Sequence, residues 1–521
     1  MMFKLLNKDF SEFKFYWVIP LTVWLLLYIF RPFLLGFYSD DWFVLLLPLR
    51  DGTVFSPARL NYLIELYSNR PLTGLFTYIL SLFCNGSEFL WHTAIIFVNL
   101  ATAFFIRLLI RRFLILINSN LLIIAEIVAC FWLAFPWTLG FTAWPTLVPC
   151  QITIIFFSYS GICLFTSWKK GKISSWKPSL FFLLSCLSYE SFYGQFIIFI
   201  ALGLIYGIHK KLGWKAILYP LASYMIVQFL AIAWNRLSPI LFQGTAATKS
   251  LYKHWYVAWF NSVVDLPTIL LQSTSIFKNY LIYLLSIGLI IFVISIIFYG
   301  NQGRMIQEKI QLFFTILVFS IGGLLAIAVY CSAGPGYSMA SIGLASRVTL
   351  SLSFWLVMIL VPMYLILFKL PLTLKLLMAI VTLGIIICLG GATVIQIQPW
   401  AKAWEIQKIM LASVPIQEIS KINRKAFLIL TNSPHEYQGI SIFNAPWDFD
   451  AAMKYTYPNV KEMKFLVDAE SVKTSWDGNI LEQTAPLAWS FKYATTEVWI
   501  WNYQTKNLLQ VFPPLKLDHA Q

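Results

Sequence analysis

Two adjacent carboxylates, Asp40 and Asp41, sit in the run Tyr38-Ser39-Asp40-Asp41-Trp42. A carboxylate within hydrogen-bond reach of a hydroxyl can take its proton, which is general-base chemistry. Like charges side by side repel, and near a membrane both are costly to strip of water. The pair is therefore either a wetted loop or a site that uses an acid. A third acid, Glu190, stands in Leu187-Ser188-Tyr189-Glu190-Ser191-Phe192-Tyr193-Gly194, and a fourth, Glu126, in Ile124-Ala125-Glu126-Ile127. Two arginines add the opposite charge: Arg70, which opens Arg-Pro-Leu, and Arg347, which follows Ser332-Ala333-Gly334-Pro335-Gly336-Tyr337 and Gly343-Leu344-Ala345-Ser346. The planar fork of arginine donors suits phosphate and carboxylate.

The elements that must hold these groups are membrane helices. Hydrophobic residues make up 59% of the 521 residues and charged residues 12%, and mean hydropathy is +0.73. Those values exclude an ordinary soluble domain. Repeated apolar stretches imply a polytopic α-helical membrane protein, because a helix satisfies its own backbone in lipid. The stretch 15–36, apolar except for Arg31, reads as a retained anchor and not a cleaved signal peptide.

Charge sets the expected sidedness. Residues 397–521 hold 12 basic and 12 acidic residues, so the net +15 comes wholly from residues 1–396. The excess falls in short loops: Arg107/Arg111/Arg112, Lys169/Lys170/Lys172/Lys177, Lys210/Lys211/Lys215, Arg304/Lys309 and Lys369/Lys375. Placed there, it marks cytoplasmic loops and not a nucleic-acid surface. The N-terminus is then cytoplasmic, and 37–88 is an outer loop that holds the acid pair. Segment 71–84 is too short to span and reads as an interfacial helix of that loop.

Basic loops flank 178–208 on both sides, so this region is expected to enter and leave from the cytoplasm as two short helices. A dozen residues of helix climb about 18 Å, which puts Glu190 within the outer part of the membrane. Glu126 lies seven residues from the cytoplasmic start of its span and reads as structural. Segments 89–110, 119–137, 147–167, 216–237, 279–299, 311–331, 347–369 and 372–396 complete about eleven crossings.

The C-terminal residues 397–521 form a separate expected unit outside the membrane. A helical stretch near 400–421 precedes β-like runs such as 426–430 and 496–501, which suggests a small α+β domain. All seven cysteines lie at 84–388, away from it, so a disulfide framework is not expected. No metal-type Cys/His spacing, Walker loop or dinucleotide glycine pattern occurs, which argues against direct use of ATP or NAD.

In order and sidedness, the acid pair after the first span, Arg70-Pro71-Leu72 with its short helix, and Tyr189-Glu190 at a half-membrane apex resemble the GT-C superfamily of membrane glycosyltransferases. The likeness covers roughly 1–396 and is nearest to bacterial glucosyltransferases that decorate O-antigen, the polysaccharide of lipopolysaccharide, and other cell-envelope glycans. It implies a GT-C-like helix arrangement in a bacterial inner membrane and a polyprenyl-phosphate-linked sugar donor. The acceptor would be a glycan or glycolipid on the outer face. It implies catalysis by Asp40 as base with Asp41 orienting the acceptor or a neighbour. Substrate would be bound by Glu190, Tyr189, Arg70, Arg347 and Tyr337, with Trp42 stacking on a sugar. No cofactor or metal ligand is expected, since oxygen-ligand sites need more groups than two acids, although a divalent cation is conceivable.

Two other classes fit a polytopic chain. A transporter or flippase would use intramembrane acids such as Glu126 and Glu190 for coupling. A glycan polymerase or ligase would place its chemistry in a large later loop rich in Arg and His, whereas this chain has only five histidines.

Overall fold

The computed structural model describes residues 17–46, 57–174, 176–207, 213–242, 252–301, 306–333, 349–422, 426–443, 446–460, 462–468, 473–485 and 489–517. The expected sites Arg347 and Tyr337 lie outside the described residues.

The first apolar helix, α1 (Val18–Tyr28), ends in a 3-10 turn, Arg31–Phe33. Pro32 in that turn lacks an N–H and cannot continue the ladder. A short helix α2 (Pro57–Leu66) is followed by α3 (Pro71–Cys84), which starts with proline at its first position and stops at Asn85 in the left-handed region (φ 37). Helix α4 (Glu88–Leu116) is capped by Ser87, whose hydroxyl accepts from Leu90 N at 3.3 Å. Helix α5 (Ile123–Ala134) bends by 57° into the turns of 136–142 at Pro136.

The remaining helices before residue 397 are α6 (Val148–Lys169), α7 (Lys177–Ser188), α8 (Phe196–Gly207), α9 (Trp214–Leu241), α10 (Trp255–Thr274), α11 (Lys278–Asn301), α12 (Ile306–Cys331), α13 (Leu350–Leu367) and α14 (Leu372–Ile395). Helix α15 (Ile397–Ala412) continues from α14 into the C-terminal part.

Among the described residues, eight helices are long and apolar enough to cross a membrane, or nine if the bent pair at Pro136 is one span. The chain is a multi-pass α-helical membrane protein. The apolar stretches Val18–Phe33, Pro71–Cys84 and Lys177–Ser188 fall below span length as helices, so eight or nine spans stand against the expected figure of about eleven. Region 178–208 does fold as two short helices, α7 and α8, broken at 189–195.

The centre of the bundle is aromatic. Phe157 stacks on Phe192 and Phe199 at ring distances of 4.2 and 4.7 Å, and Phe354 and Trp355 meet it edge-on. Edge-to-face and offset packing suits the ring quadrupoles and fills space without polar groups.

All strands of the described residues lie beyond Ala426. One sheet has the order β4 (Lys464–Val467), β1 (Phe427–Thr431), β8 (Val498–Asn502), β9 (Asn507–Val511). In it β1 runs parallel to both neighbours, and its five residues are all buried, as a central parallel strand should be. The second sheet is antiparallel, β10 (Leu515–Leu517), β5 (Lys473–Trp476), β6 (Ile480–Ala485), β7 (Trp489–Ala494). A two-residue pair, β2 (Glu436–Tyr437) and β3 (Ile440–Ser441), and one helix, α16 (Pro446–Thr456), complete the unit.

Candidate active site

The acid pair is built into a tight turn. Ser39 is held in the left-handed region (φ 44), an uncommon conformation for a residue with a side chain. Asp41 N donates back to Tyr38 O at 3.0 Å, and the Asp41 carboxyl returns the bond, Oδ2 accepting from Tyr38 N at 2.8 Å. Its other oxygen, Oδ1, accepts from Thr146 N at 2.9 Å, at the start of α6. Asp41 is fully buried. Burial disfavours its charged form and holds its pKa above the usual carboxylate range, with the two backbone donors pulling the other way. Its carboxyl is thus engaged by backbone and orients the turn; it has no surface open to a substrate.

Asp40 is different. It is partly exposed, and its Oδ1 accepts from Trp447 Nε1 of α16 at 3.2 Å. Directly after it the chain forms one turn of π-helix, Trp42–Leu46, a local geometry that tends to occur at functional sites. Trp42 itself is buried. Its Nε1 donates to Gln407 Oε1 at 3.0 Å, and its ring packs among Phe37, Trp404, Phe443 and Tyr455. This corrects the expectation of a sugar-stacking Trp42: the indole clamps the loop to α15 and the C-terminal unit. Trp137 and Trp144 are likewise buried. Gly36 completes the clamp, because a Cβ there would lie 1.9 Å from the Trp404 ring.

The second group lies at the α7–α8 break. Arg70 Nε sits 2.8 Å from both Glu190 oxygens, and its guanidinium carbon lies 4.3 Å from the Tyr189 ring centroid. Asn235 Nδ2 of α9 donates to Glu190 Oε1 at 3.1 Å. Thr73 of α3 donates to Ser188 O, and Trp234 Nε1 donates to Ser68 O at 3.0 Å, so α3, α7 and α9 all meet here. The side chains of Arg70 and Glu190 remain 19% and 22% exposed, which leaves the pair in reach of a ligand. Arg70 is thereby already matched to a carboxylate, and its assignment as a free phosphate cation is revised accordingly.

Two observations bring the groups together. Burial raises the phenol pKa of Tyr67, and the Asp40 carboxylate reinforces the shift while Arg70 opposes it, so both charges act on one ring. Just before α6, Thr146 binds Asp41, and Cys150 in the first turn of α6 lies within electrostatic reach of Arg70. The acid turn and the Arg70–Glu190 pair are therefore both neighbours of the start of α6.

Arg59 of α2 is a further cation here, a weaker candidate than Arg70 or Arg347 from its sequence position in the outer layer. It is 3% exposed, and its only hydrogen bond among the described residues is a long one, Nη2 to Leu45 O at 3.4 Å. Its Nε and Nη1 have no partner there. Tyr62, three residues on and so on the same helix face, has its pKa raised by burial first and then by Asp40. No local signal separates Arg59 from an interfacial anchor; its burial is a tertiary property. Trp447 and Asn235 are also absent from the sequence-based set, being 407 and 45 residues from the acids they bind.

Glu126 is remote from this site and pairs with Arg107 at 2.6 Å, both almost fully buried. Among the described residues no group of three or more His, Cys, Asp or Glu is placed to hold a metal ion. No protein-family model matches this chain, and no curated protein matches it.

Proposed function

We propose that this protein is a membrane glycosyltransferase of GT-C type, moving a sugar from a polyprenyl-phosphate donor to an envelope glycan or glycolipid on the outer face of a bacterial inner membrane. One observation carries the reading: a partly exposed Asp40, held in a rigid turn by its fully buried neighbour Asp41, beside an open Arg70–Glu190 pair. Trp447 occupies one Asp40 oxygen, and no described residue donates to the other, Oδ2. That oxygen serves as the base for the acceptor hydroxyl. Attack of the hydroxyl oxygen on the anomeric carbon breaks the bond to the phosphate, which leaves as an anion while Asp40 takes the proton.

Arg59, buried with two nitrogens unpartnered among the described residues, lends positive potential to the departing phosphate without touching it. Glu190, fixed by Arg70 and Asn235, orients sugar hydroxyls. The charge excess of residues 1–396 supports a cytoplasmic N-terminus and an extracytoplasmic C-terminal unit.

The test is transfer from a polyprenyl-phosphate sugar by wild type and Asp40→Asn in detergent or vesicles. Loss of the base lowers turnover by about 10²–10⁴-fold with the protein still folded. Undiminished turnover in the variant removes Asp40 as base and this reading with it.

A further inference from the structure

Away from the acid turn, α5, α13 and α14 enclose a groove of about 240 Å³. Its wall is apolar: Ile127 of α5, Leu367 of α13, and Met378, Leu383 and Ile386 of α14. The two polar side chains of the wall, Tyr364 and Thr382, satisfy each other at 2.6 Å and leave no open donor pair for a polar ligand. Leu383 is 58% exposed, so the groove opens sideways where lipid would be. One cation lines it, Lys375, at the end nearest the α13–α14 connection, which also carries Lys369.

The dimensions select the occupant. From Lys375 to Ile386 is eleven helical residues, about 16 Å of rise, close to half of a hydrocarbon core of about 30 Å. The groove thus runs from a basic membrane surface to about mid-bilayer, the depth of one leaflet. Its volume is below the roughly 300–1,000 Å³ of sites for compact organic ligands, so it seats part of one hydrocarbon chain, with the remainder against lipid. Basic pockets between transmembrane helices on the cytoplasmic side are suited to anionic lipid head groups.

We propose that this groove is a specific site for an anionic diacyl phospholipid, one acyl chain along α14 and its phosphate at Lys375. The site is independent of the glycosyltransferase reading, since it uses none of the residues of the acid turn.

The test is lipid retention by the full-length protein, released from vesicles of equal phosphatidylglycerol and phosphatidylcholine and weighed by native mass spectrometry. Wild type keeps phosphatidylglycerol in preference. Lys375→Gln lowers that retention about fivefold, the worth of one lysine at a lipid surface. Ala379→Trp, which fills the groove, lowers it as well, while Lys473→Gln on β5 does not. Equal retention of the two lipids by wild type overturns the proposal, as does a Lys375→Gln protein that retains as much as wild type. Preferential retention of added polyprenyl phosphate over phosphatidylglycerol overturns it in favour of a carrier-lipid site. Because Lys375 stands at the rim, its variant keeps the test valid should Ala379→Trp fail to fold.

Discussion

Two arginine–glutamate pairs of the described residues, in or beside the membrane helices, are built for different ends. Arg107 and Glu126 join α4 to α5 with exposures of 1% and 3%. Arg70 and Glu190 join the start of α3 to the α7–α8 break with exposures of 19% and 22%. The dry pair has packing on every side and acts as a staple between two helices. The open pair has Asn235 as a third partner, Tyr189 under its guanidinium, and a face left uncovered. The same two residue types are structural in one place and available in the other, and the difference is access to water and ligand.

That contrast can be broken by substitution. The largest expected effect is on the dry pair. Glu126→Leu leaves Arg107 charged and buried, and lowers stability by about 3–5 kcal/mol. Thermal unfolding in detergent reads this directly, and a variant as stable as wild type would show that water reaches the staple. The double variant Arg107→Met with Glu126→Leu recovers most of the loss, because an apolar pair of similar volume needs no desolvation. Glu190→Gln, in contrast, costs no more than about 1–2 kcal/mol, since the pair is partly solvated. Its effect is on transfer, with KM raised more than kcat falls, as expected of a group that binds the sugar throughout. Equal destabilisation by Glu126→Leu and Glu190→Gln would erase the distinction.

A third carboxyl sharpens the comparison through pH. Asp41 holds its proton more tightly folded than unfolded, because burial raises its pKa above the ordinary carboxylate value of about 3.9. Such a group lends stability at low pH and withdraws it as pH rises from the ordinary carboxylate range through the raised folded value. Asp41→Asn flattens that slope, measured as melting temperature against pH. An unchanged slope would assign it to another group. The smallest effect concerns Trp447→Phe. It removes one donor that holds the Asp40 carboxylate in place, so kcat falls only a few-fold, and an unchanged kcat would show that the turn alone positions Asp40.

Much of the helical layout was legible without coordinates. The two short helices flanking 189–195 follow from basic loops on both sides of a stretch too short for two full spans, and α7 and α8 stand there. The strand runs at 426–430 and 496–501 correspond to β1 and β8, because buried strands carry a dense run of branched and aromatic residues. The roles of single side chains were less legible. Trp42 reads as a surface indole after two acids, yet α15 and the C-terminal unit enclose it. Arg70 reads as a free cation and is matched to Glu190, while Arg59 reads as a weaker candidate and has two nitrogens unpartnered among the described residues.

Hydropathy and charge are sums over neighbouring residues, so the sequence by itself determined that this is a multi-pass helical membrane protein with a compositionally distinct C-terminal part. It also determined that acids occur as a pair at Asp40 and Asp41. Which of the two is locked and which is open was decided by Thr146 and Trp447, 105 and 407 residues away. Two adjacent aspartates have the same local chemistry; only packing against distant elements leaves one without water and the other with an oxygen to use.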